Sequence, residues 1–269
     1  GNDPVRQSQF SRQIKELEAF FGTALFLRHG KTLRLTEQGQ QLATVVRGSL
    51  GALRDFGRTC ADQPVEFTIG AGDSLIHWLI MPRLGALKRE FPKVKLRLRN
   101  LRSEDITRGL HDGRLDFGLV RRDAVSRPLA NTQLGTLDYA LFVPRSLLPG
   151  GRKRDFAWTL GNIPVATLAH DGQFDRRLRA LAAKLPSPPR FALDCDSFPH
   201  AAAALASGQY AAILPRFAAA HLQIPVATIE APDLNQPRRV VSLAWSPRLL
   251  ATRELAERLR VFLLETMGF

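Results

Sequence analysis

The residue types best suited to chemistry in this sequence stand together at Gly70-Ala71-Gly72-Asp73-Ser74. An alternating run from Val65 to Ala71 precedes them and a helical pattern follows, so the glycines fall where a strand turns into a helix N-terminus. That placement invites a dinucleotide reading, which fails. The third glycine is absent, and Arg99 and Asn100 occupy the end of the next strand, where an acidic ribose partner belongs. What remains is a helix start with Ser74 and free N–H groups, suited to a carboxylate or a similar small anion.

Signals for catalysis are weaker. The six histidines are scattered and none sits in a dense metal-ligand spacing, so no metal and no cofactor is expected. Cys195 and His200 form a lone pair, which a buried cysteine at a strand end explains more simply than a nucleophile does. Asp194 and Asp196 flank Cys195 at a strand end, with no further sign of carboxylates paired for catalysis. Neither Gly-x-Ser-x-Gly nor a P-loop pattern occurs. These residues point to binding, not to an enzyme.

Composition narrows the setting. The chain has 269 residues with 45% hydrophobic and 23% charged, the balance of a folded globular protein. There is no apolar run long enough to span a membrane and no apolar leader after Gly1-Asn2-Asp3-Pro4, so a cytoplasmic protein is expected. Two cysteines, Cys60 and Cys195, give no disulfide framework and agree with a reducing compartment. A formal net charge of +13 suggests an anionic partner. Residues 1–63 hold nine basic and six acidic residues, so most of that excess lies beyond them.

The elements that position these groups change character along the chain. Ser8–Phe21 reads as a helix, with Phe10, Ile14, Leu17 and Phe21 at helical spacing and Gly22 as its stop. Leu25–Arg28 and Leu33–Leu35 flank a glycine-containing turn and read as a hairpin. Thr36 with Glu37 opens a long helix whose apolar seam is Leu42, Val45, Val46, Leu50, Leu53 and Phe56. A seam of this kind wants a partner, most simply its own copy; packing on the rest of the chain is the alternative.

From Val65 onward the sequence reads strand 65–71, helix from Asp73 or Ser74 to Phe91, strand 94–99, helix 103–112 and strand 115–120. A second block repeats the grammar: strand 163–168, helix 174–185, strand 190–194, helix 197–207 and strand 211–214. Another strand, Val240–Trp245, and a final helix, Thr252–Met267, close the chain. Alternation of this type makes parallel, doubly wound α/β units, and two such units make two lobes with a cleft. Pro144–Arg154 and Pro186–Pro189 serve as connectors, and Arg152-Lys153-Arg154 reads as a solvated loop.

The segment Gln7-Ser8-Gln9-Phe10-Ser11-Arg12-Gln13-Ile14-Lys15-Glu16-Leu17-Glu18, with Gly22, Ala24-Leu25-Phe26, Arg28, Leu33-Arg34-Leu35-Thr36-Glu37 and Gly39, closely resembles the LysR-type transcriptional regulators. Phe91-Pro92 and Gly113 with Leu115-Asp116-Phe117-Gly118-Leu119 extend the likeness, which fades across residues 145–235. The resemblance implies three parts. Residues 1–36 would be a partial winged helix-turn-helix, and 37–63 a linker helix that makes a homodimer or homotetramer through residues 37–58. Residues 64–269 would be a periplasmic-binding-protein-like effector domain, with lobe one at 64–143 plus 222–269 and lobe two at 144–221. The family's module has further helices before the recognition helix, whereas Gly1–Arg6 precede it here; the expectation is an incomplete module with impaired DNA binding.

In such a module Gln7, Gln9 and Arg12 offer the hydrogen-bonding forks for base edges and Ser11 a phosphate contact, while Arg28, Lys31 and Arg34 reach backbone or minor groove of double-stranded DNA. Taken by spacing alone, the same residues read as solvated polar faces. In the effector domain, ligands of open α/β sheets sit beyond the carboxyl ends of the strands. That rule nominates Asp73, Ser74, Asn100, Leu101, Ser103, Arg121 and Arg122 in one lobe. In the other it nominates Ala169, Gln173, Phe174, Asp196, Ser197 and Phe198. The expected effector is a small anion. A solute-binding protein without DNA binding is the competing reading, and an enzyme such as a transferase built on the same lobes is a third.

Overall fold

Helix α1 (Pro4–Phe21) stops at Gly22, whose φ of +64° is the left-handed conformation that a side chain disfavours. A computed structural model describes residues 4–29, 32–148, 155–168 and 172–269. The Glu18 carboxylate accepts the backbone N–H groups of Leu25 at 2.7 Å and Phe26 at 3.1 Å, tying α1 to the hairpin of β1 (Phe26–His29) and β2 (Thr32–Leu35). Thr36 then does two jobs with one hydroxyl. It donates to the Ala24 carbonyl at 2.8 Å and accepts the Gly39 N–H at 2.9 Å as the N-cap of α2 (Glu37–Cys60). At Gly39 a Cβ would lie 2.1 Å from the Leu25 carbonyl oxygen, so only glycine lets α2 pass this close to the hairpin.

Helix α2 does not stand alone. Its Thr44 hydroxyl donates to the His111 carbonyl at 2.8 Å and its Arg47 guanidinium to the Asp112 carbonyl at 2.6 Å, covering the carbonyl end of α5 (Ser103–His111). Further along, Asp55 pairs with Arg253, and Arg58 approaches Glu66 at 4.0 Å. The polar, small-residue face of α2 therefore rests on its own α/β domain, and not the apolar seam, which the alternative reading packs there. The apolar seam faces the other way, with Leu53 65% and Phe56 70% exposed.

The first α/β unit runs β3 (Val65–Ala71), a helical stretch, β4 (Val94–Asn100), α5, β5 (Phe117–Arg121) and β6 (Ala130–Thr136). Its helical stretch is not one helix. α3 (Asp73–Leu75) passes into a π turn at Ile76–Ile80, then a 3₁₀ turn at Met81–Arg83 around Pro82, then α4 (Leu84–Glu90). The second unit runs β7 (Tyr139–Pro144), α6 (Phe156–Asn162), β8 (Val165–Leu168), α7 (Gln173–Ala182), β9 (Phe191–Cys195), α8 (Phe198–Ala206), β10 (Ala211–Pro215) and β11 (Val226–Glu230). The chain then returns as β12 (Val240–Trp245), α9 (Pro247–Thr252) and α10 (Glu254–Met267).

The two five-stranded sheets have matching orders, β4-β3-β5-β12-β6 and β9-β8-β10-β7-β11. In each, three strands are parallel and the fourth is antiparallel to its neighbours. The fourth strands, β12 and β7, are the ones reached by crossing between lobes. This corrects the expected boundaries of 143/144 and 221/222, because Tyr139–Pro144 and Val226–Glu230 both pair in the second sheet. The crossings instead fall at residues 137–138 and 236–239. There Leu137 N–H donates to the Arg239 carbonyl at 2.7 Å, and the Asn235 side chain brackets the Tyr139 backbone at 2.7 and 3.0 Å. Trp78 of the π turn crosses to the second lobe and packs edge-on against Phe217, at 6.0 Å between ring centroids, within the cluster that holds Phe142, Leu205 and Leu214.

Candidate functional site

The interlobe cleft is built from strand ends, as the rule for open sheets requires. At the end of β5, Arg121 N–H donates to the Ser103 hydroxyl at 3.4 Å, and the Arg121 side chain reaches across to donate to the Gln173 side-chain oxygen at the start of α7. That contact bridges the lobes. Arg121 Nε also lies 3.5 Å from Asp123, an exposed carboxylate. On the second lobe, Phe174 and Phe198 head adjacent helices and meet edge-on at 5.0 Å between centroids. Tyr139 completes an aromatic wall, at 4.8 Å from Phe174 and 5.4 Å from Phe198.

The nominated residues divide accordingly. The structure joins Ser103, Arg121 and Gln173 by hydrogen bonds, and Phe174 with Phe198 by ring contact. Ser197 is spent as the N-cap of α8, its hydroxyl accepting the His200 N–H at 3.3 Å. Asp196 and Arg122 are exposed beside the strand ends. Asp73, Ser74, Asn100 and Leu101 lie at the ends of β3 and β4, with Leu101 N–H on the Ala71 carbonyl at 3.0 Å. No side chain caps α3: its N-cap is Gly72, Asp73 and Ser74 are already inside the helix, and the backbone widens into a π turn at Ile76. Ala169 lies outside the described residues.

Sequence reasoning missed three residues here. Tyr139, Arg177 and Arg239 converge on the cleft from β7, α7 and the return crossing. Arg239 Nη1 donates to the Tyr139 hydroxyl at 3.3 Å, with its guanidinium carbon 5.6 Å from that ring's centroid. Arg177 donates to the Pro237 carbonyl at 3.3 Å. Burial pushes the Tyr139 hydroxyl up against the pull of Arg239, Arg177 and Arg121. Cys195 is buried, and burial followed by Asp194 and Asp196 pushes its thiol up, the reverse of what a nucleophile needs. Among the described residues no group of three or more His, Cys, Asp or Glu side chains is arranged to hold a metal.

A second centre lies where α2 meets the first lobe. A cavity of about 490 Å³ opens there, with Arg47, Arg54, Arg114 and Arg248 among its lining side chains. At its base Arg253, from the α9–α10 corner, is buried and fully engaged. It pairs with Asp55 at 2.5 Å and Asp116 at 2.6 Å, donates to the Glu66 carbonyl at 2.6 Å, and stacks 3.9 Å over the Phe67 ring. Asp116 accepts the Thr68 N–H at 2.7 Å with its other oxygen. One guanidinium thus joins the linker helix, the first strand and the third.

On the N-terminal module, Gln9, Ser11, Arg12 and Arg34 are exposed, and Arg12 pairs with Glu16 one turn on at 2.8 Å. The side chains of Gln7 and Arg28 and the whole of Lys31 lie outside the described residues.

A helix-and-hairpin module, a long linker helix and a hinged pair of α/β lobes together define a ligand-responsive DNA-binding regulator. The chain belongs to the LysR family: residues 64–268 match the LysR substrate binding domain, and residues 4–40 match the bacterial regulatory helix-turn-helix protein of the lysR family. It is similar to the transcriptional activator AmpR of Rhodobacter capsulatus, 29% identical over 78% of this chain and 71% of that protein. A probable nitrogen assimilation transcriptional activator of Synechococcus elongatus is 26% identical over 90% of this chain and 77% of its own length. In fold it matches full-length OxyR of Pseudomonas aeruginosa, with a TM-score of 0.62 at 18% identity over 97% of this chain and 85% of that one. CrgA, a LysR-type regulator of Neisseria meningitidis, gives 0.59 at 17% identity over 97% and 90%. The chain is a LysR-type transcriptional regulator with a helix-turn-helix module and an effector-binding domain. No helix among the described residues is long and apolar enough to cross a membrane.

Proposed function

We propose that this regulator works in the cytoplasm as a homodimer or homotetramer joined through residues 37–58, and that it acts by binding and not by catalysis. A ligand between the lobes favours one lobe orientation. Because α2 is fastened to the first lobe, that orientation sets how the DNA-reading modules of an oligomer are spaced, a population shift driven by differential affinity for the two arrangements. Gln7, Gln9, Ser11 and Arg12 read the major groove and Arg28, Lys31 and Arg34 hold the backbone. Ser103, Arg121, Gln173, Phe174 and Phe198 form the heart of the effector site; Asp73, Ser74, Asn100, Leu101, Arg122, Asp196 and Ser197 make its rim.

The supporting observation is the pair of short crossings at residues 137–138 and 236–239, across which Arg121 and Gln173 meet. These two positions allow a ligand-independent test. In a Cys60→Ser background, Arg121→Cys and Gln173→Cys joined by a short bismaleimide hold the lobes closed. The locked protein is expected to differ from the same variant without the bridge in its solution scattering profile as an oligomer and in its midpoint for duplex DNA. Identical profiles and midpoints would show that lobe orientation does not govern assembly.

A further inference from the structure

Three guanidiniums lie within electrostatic reach of the Tyr139 hydroxyl at the hinge side of the cleft, each delivered by a different element: Arg121 from β5, Arg177 from α7 and Arg239 from the return crossing. Like charges repel, so such a group needs a reason to persist. Its protein partners do not supply one. Arg177 donates to the Pro237 carbonyl, Arg121 to the neutral Gln173 oxygen, and Arg239 Nη1 to the neutral Tyr139 hydroxyl. The carboxylate at hand is Asp123, 3.5 Å from Arg121 and itself 71% exposed in its side chain. Arg239 goes further: its Nε and Nη2 are buried and have no hydrogen-bond partner among the described residues. Buried guanidinium donors without an acceptor are among the more expensive defects a fold carries.

Burial, then Arg239 and Arg121, lowers the basicity of Arg177, so each cation in the group is felt by the next. Among the described residues, three positive charges face one exposed carboxylate, which leaves two uncompensated. The wall behind them is aromatic, made by Tyr139, Phe174 and Phe198. An acceptor with two negative charges and a short carbon frame would satisfy both the donors and the wall, and a guanidinium fork matches carboxylate and phosphate oxygens in geometry.

We propose that Arg121, Arg177, Arg239 and the Tyr139 hydroxyl form the anion subsite of the interlobe cleft, and that the effector is a small organic dianion, a dicarboxylate or a phosphate monoester. This rests on the cleft being the effector site. It adds residues that neither strand-end reasoning nor the family match assigns, and it fixes the ligand's charge.

The test uses the whole chain with succinate and inorganic phosphate as dianion probes, and with monomethyl succinate and chloride as monoanions, all at equal ionic strength. Calorimetric titration should show succinate or phosphate binding at least tenfold more tightly than either monoanion; which of the two is preferred separates the dicarboxylate from the phosphate. Arg239→Gln and Arg177→Gln should each weaken the preferred dianion tenfold or more, and Arg258→Gln, on the far side of α10 beside Glu90, should leave it unchanged. If Arg239→Gln fails to fold, the half-exposed Arg177 carries the test. Dianions that bind no better than monoanions, or variants that bind as the parent does, would overturn the assignment. A lobe bridge that still changes assembly in that case would show the cleft mechanism intact and the charge assignment alone at fault.

Discussion

Replacing Arg253 with methionine is expected to cost about 3–5 kcal/mol of unfolding free energy at neutral pH, the usual loss when one partner of a buried ion pair is removed. Methionine keeps the bulk over Phe67 but leaves Asp55 and Asp116 facing each other without a cation. Burial already pushes the Asp116 carboxyl up; Arg253 and then the Thr68 N–H hold it down. Without Arg253 the folded-state value rises further while the unfolded value stays ordinary. A group raised in the folded state contributes stability below its unfolded pKa and loses it as pH rises through its folded pKa. The penalty of Arg253→Met is therefore largest at neutral pH and narrows as acid protonates Asp116. Urea titrations of both proteins across that range measure it. A gap that stays constant or widens in acid would mean that Arg253 does not answer the Asp116 charge. Adding Asp116→Asn should recover part of the loss, so the double variant falls short of the sum of the single ones.

The second large effect is on association. With Leu53→Asp and Phe56→Asp together, the oligomer is expected to fall apart by more than a hundredfold in its dissociation constant. Each side chain, if buried by a partner helix, contributes about 1.5–3 kcal/mol, and a two-fold interface counts each one twice. Both residues project away from the chain's own lobes, so the variant should keep the helical content and unfolding midpoint of the parent. Sedimentation equilibrium reads the outcome directly. A parent that is monomeric at micromolar concentration, or a variant that associates as the parent does, would contradict a dimer made through residues 37–58.

These two experiments address opposite faces of one helix. Thr44, Arg47, Asp55 and Arg58 face the chain's own domain, whereas Leu50, Leu53 and Phe56 are exposed on the opposite side. Heptad-like patterning exposed the second face, because apolar residues at three- and four-residue spacing are a local signal. The first face had none: glycines, a threonine and an aspartate acquire meaning only when Arg253, nearly two hundred residues later, comes to meet them.

Much of the fold was readable for the same local reasons. Thr36 is a cap by type and position, and the alternation in Val65–Ala71 and Val94–Arg99 declares half-covered strands. The fourth strand of the second sheet was not readable. Tyr139-Ala140-Leu141-Phe142-Val143 is buried throughout, and an unbroken apolar run lacks the period-two signature that separates strand from buried helix. Missing that strand moved the first boundary by about six residues, and missing β11 moved the second by about fifteen. The cleft shows a similar division. Strand ends predicted Ser103, Arg121, Gln173, Phe174 and Phe198, but Tyr139, Arg177 and Arg239 meet through the crossings alone, and an isolated arginine in sequence carries no sign of its neighbours.

The central claim is that a two-fold pair of these chains reads DNA through modules held at a set distance. Selection from a random duplex library with the purified protein, followed by anisotropy titration of the enriched duplex, tests it most directly. The expected winner carries two half-sites related by inversion and spaced by whole helical turns, bound more tightly than random DNA of the same length. Enrichment of nothing, or of a single asymmetric site occupied by one chain, would contradict it.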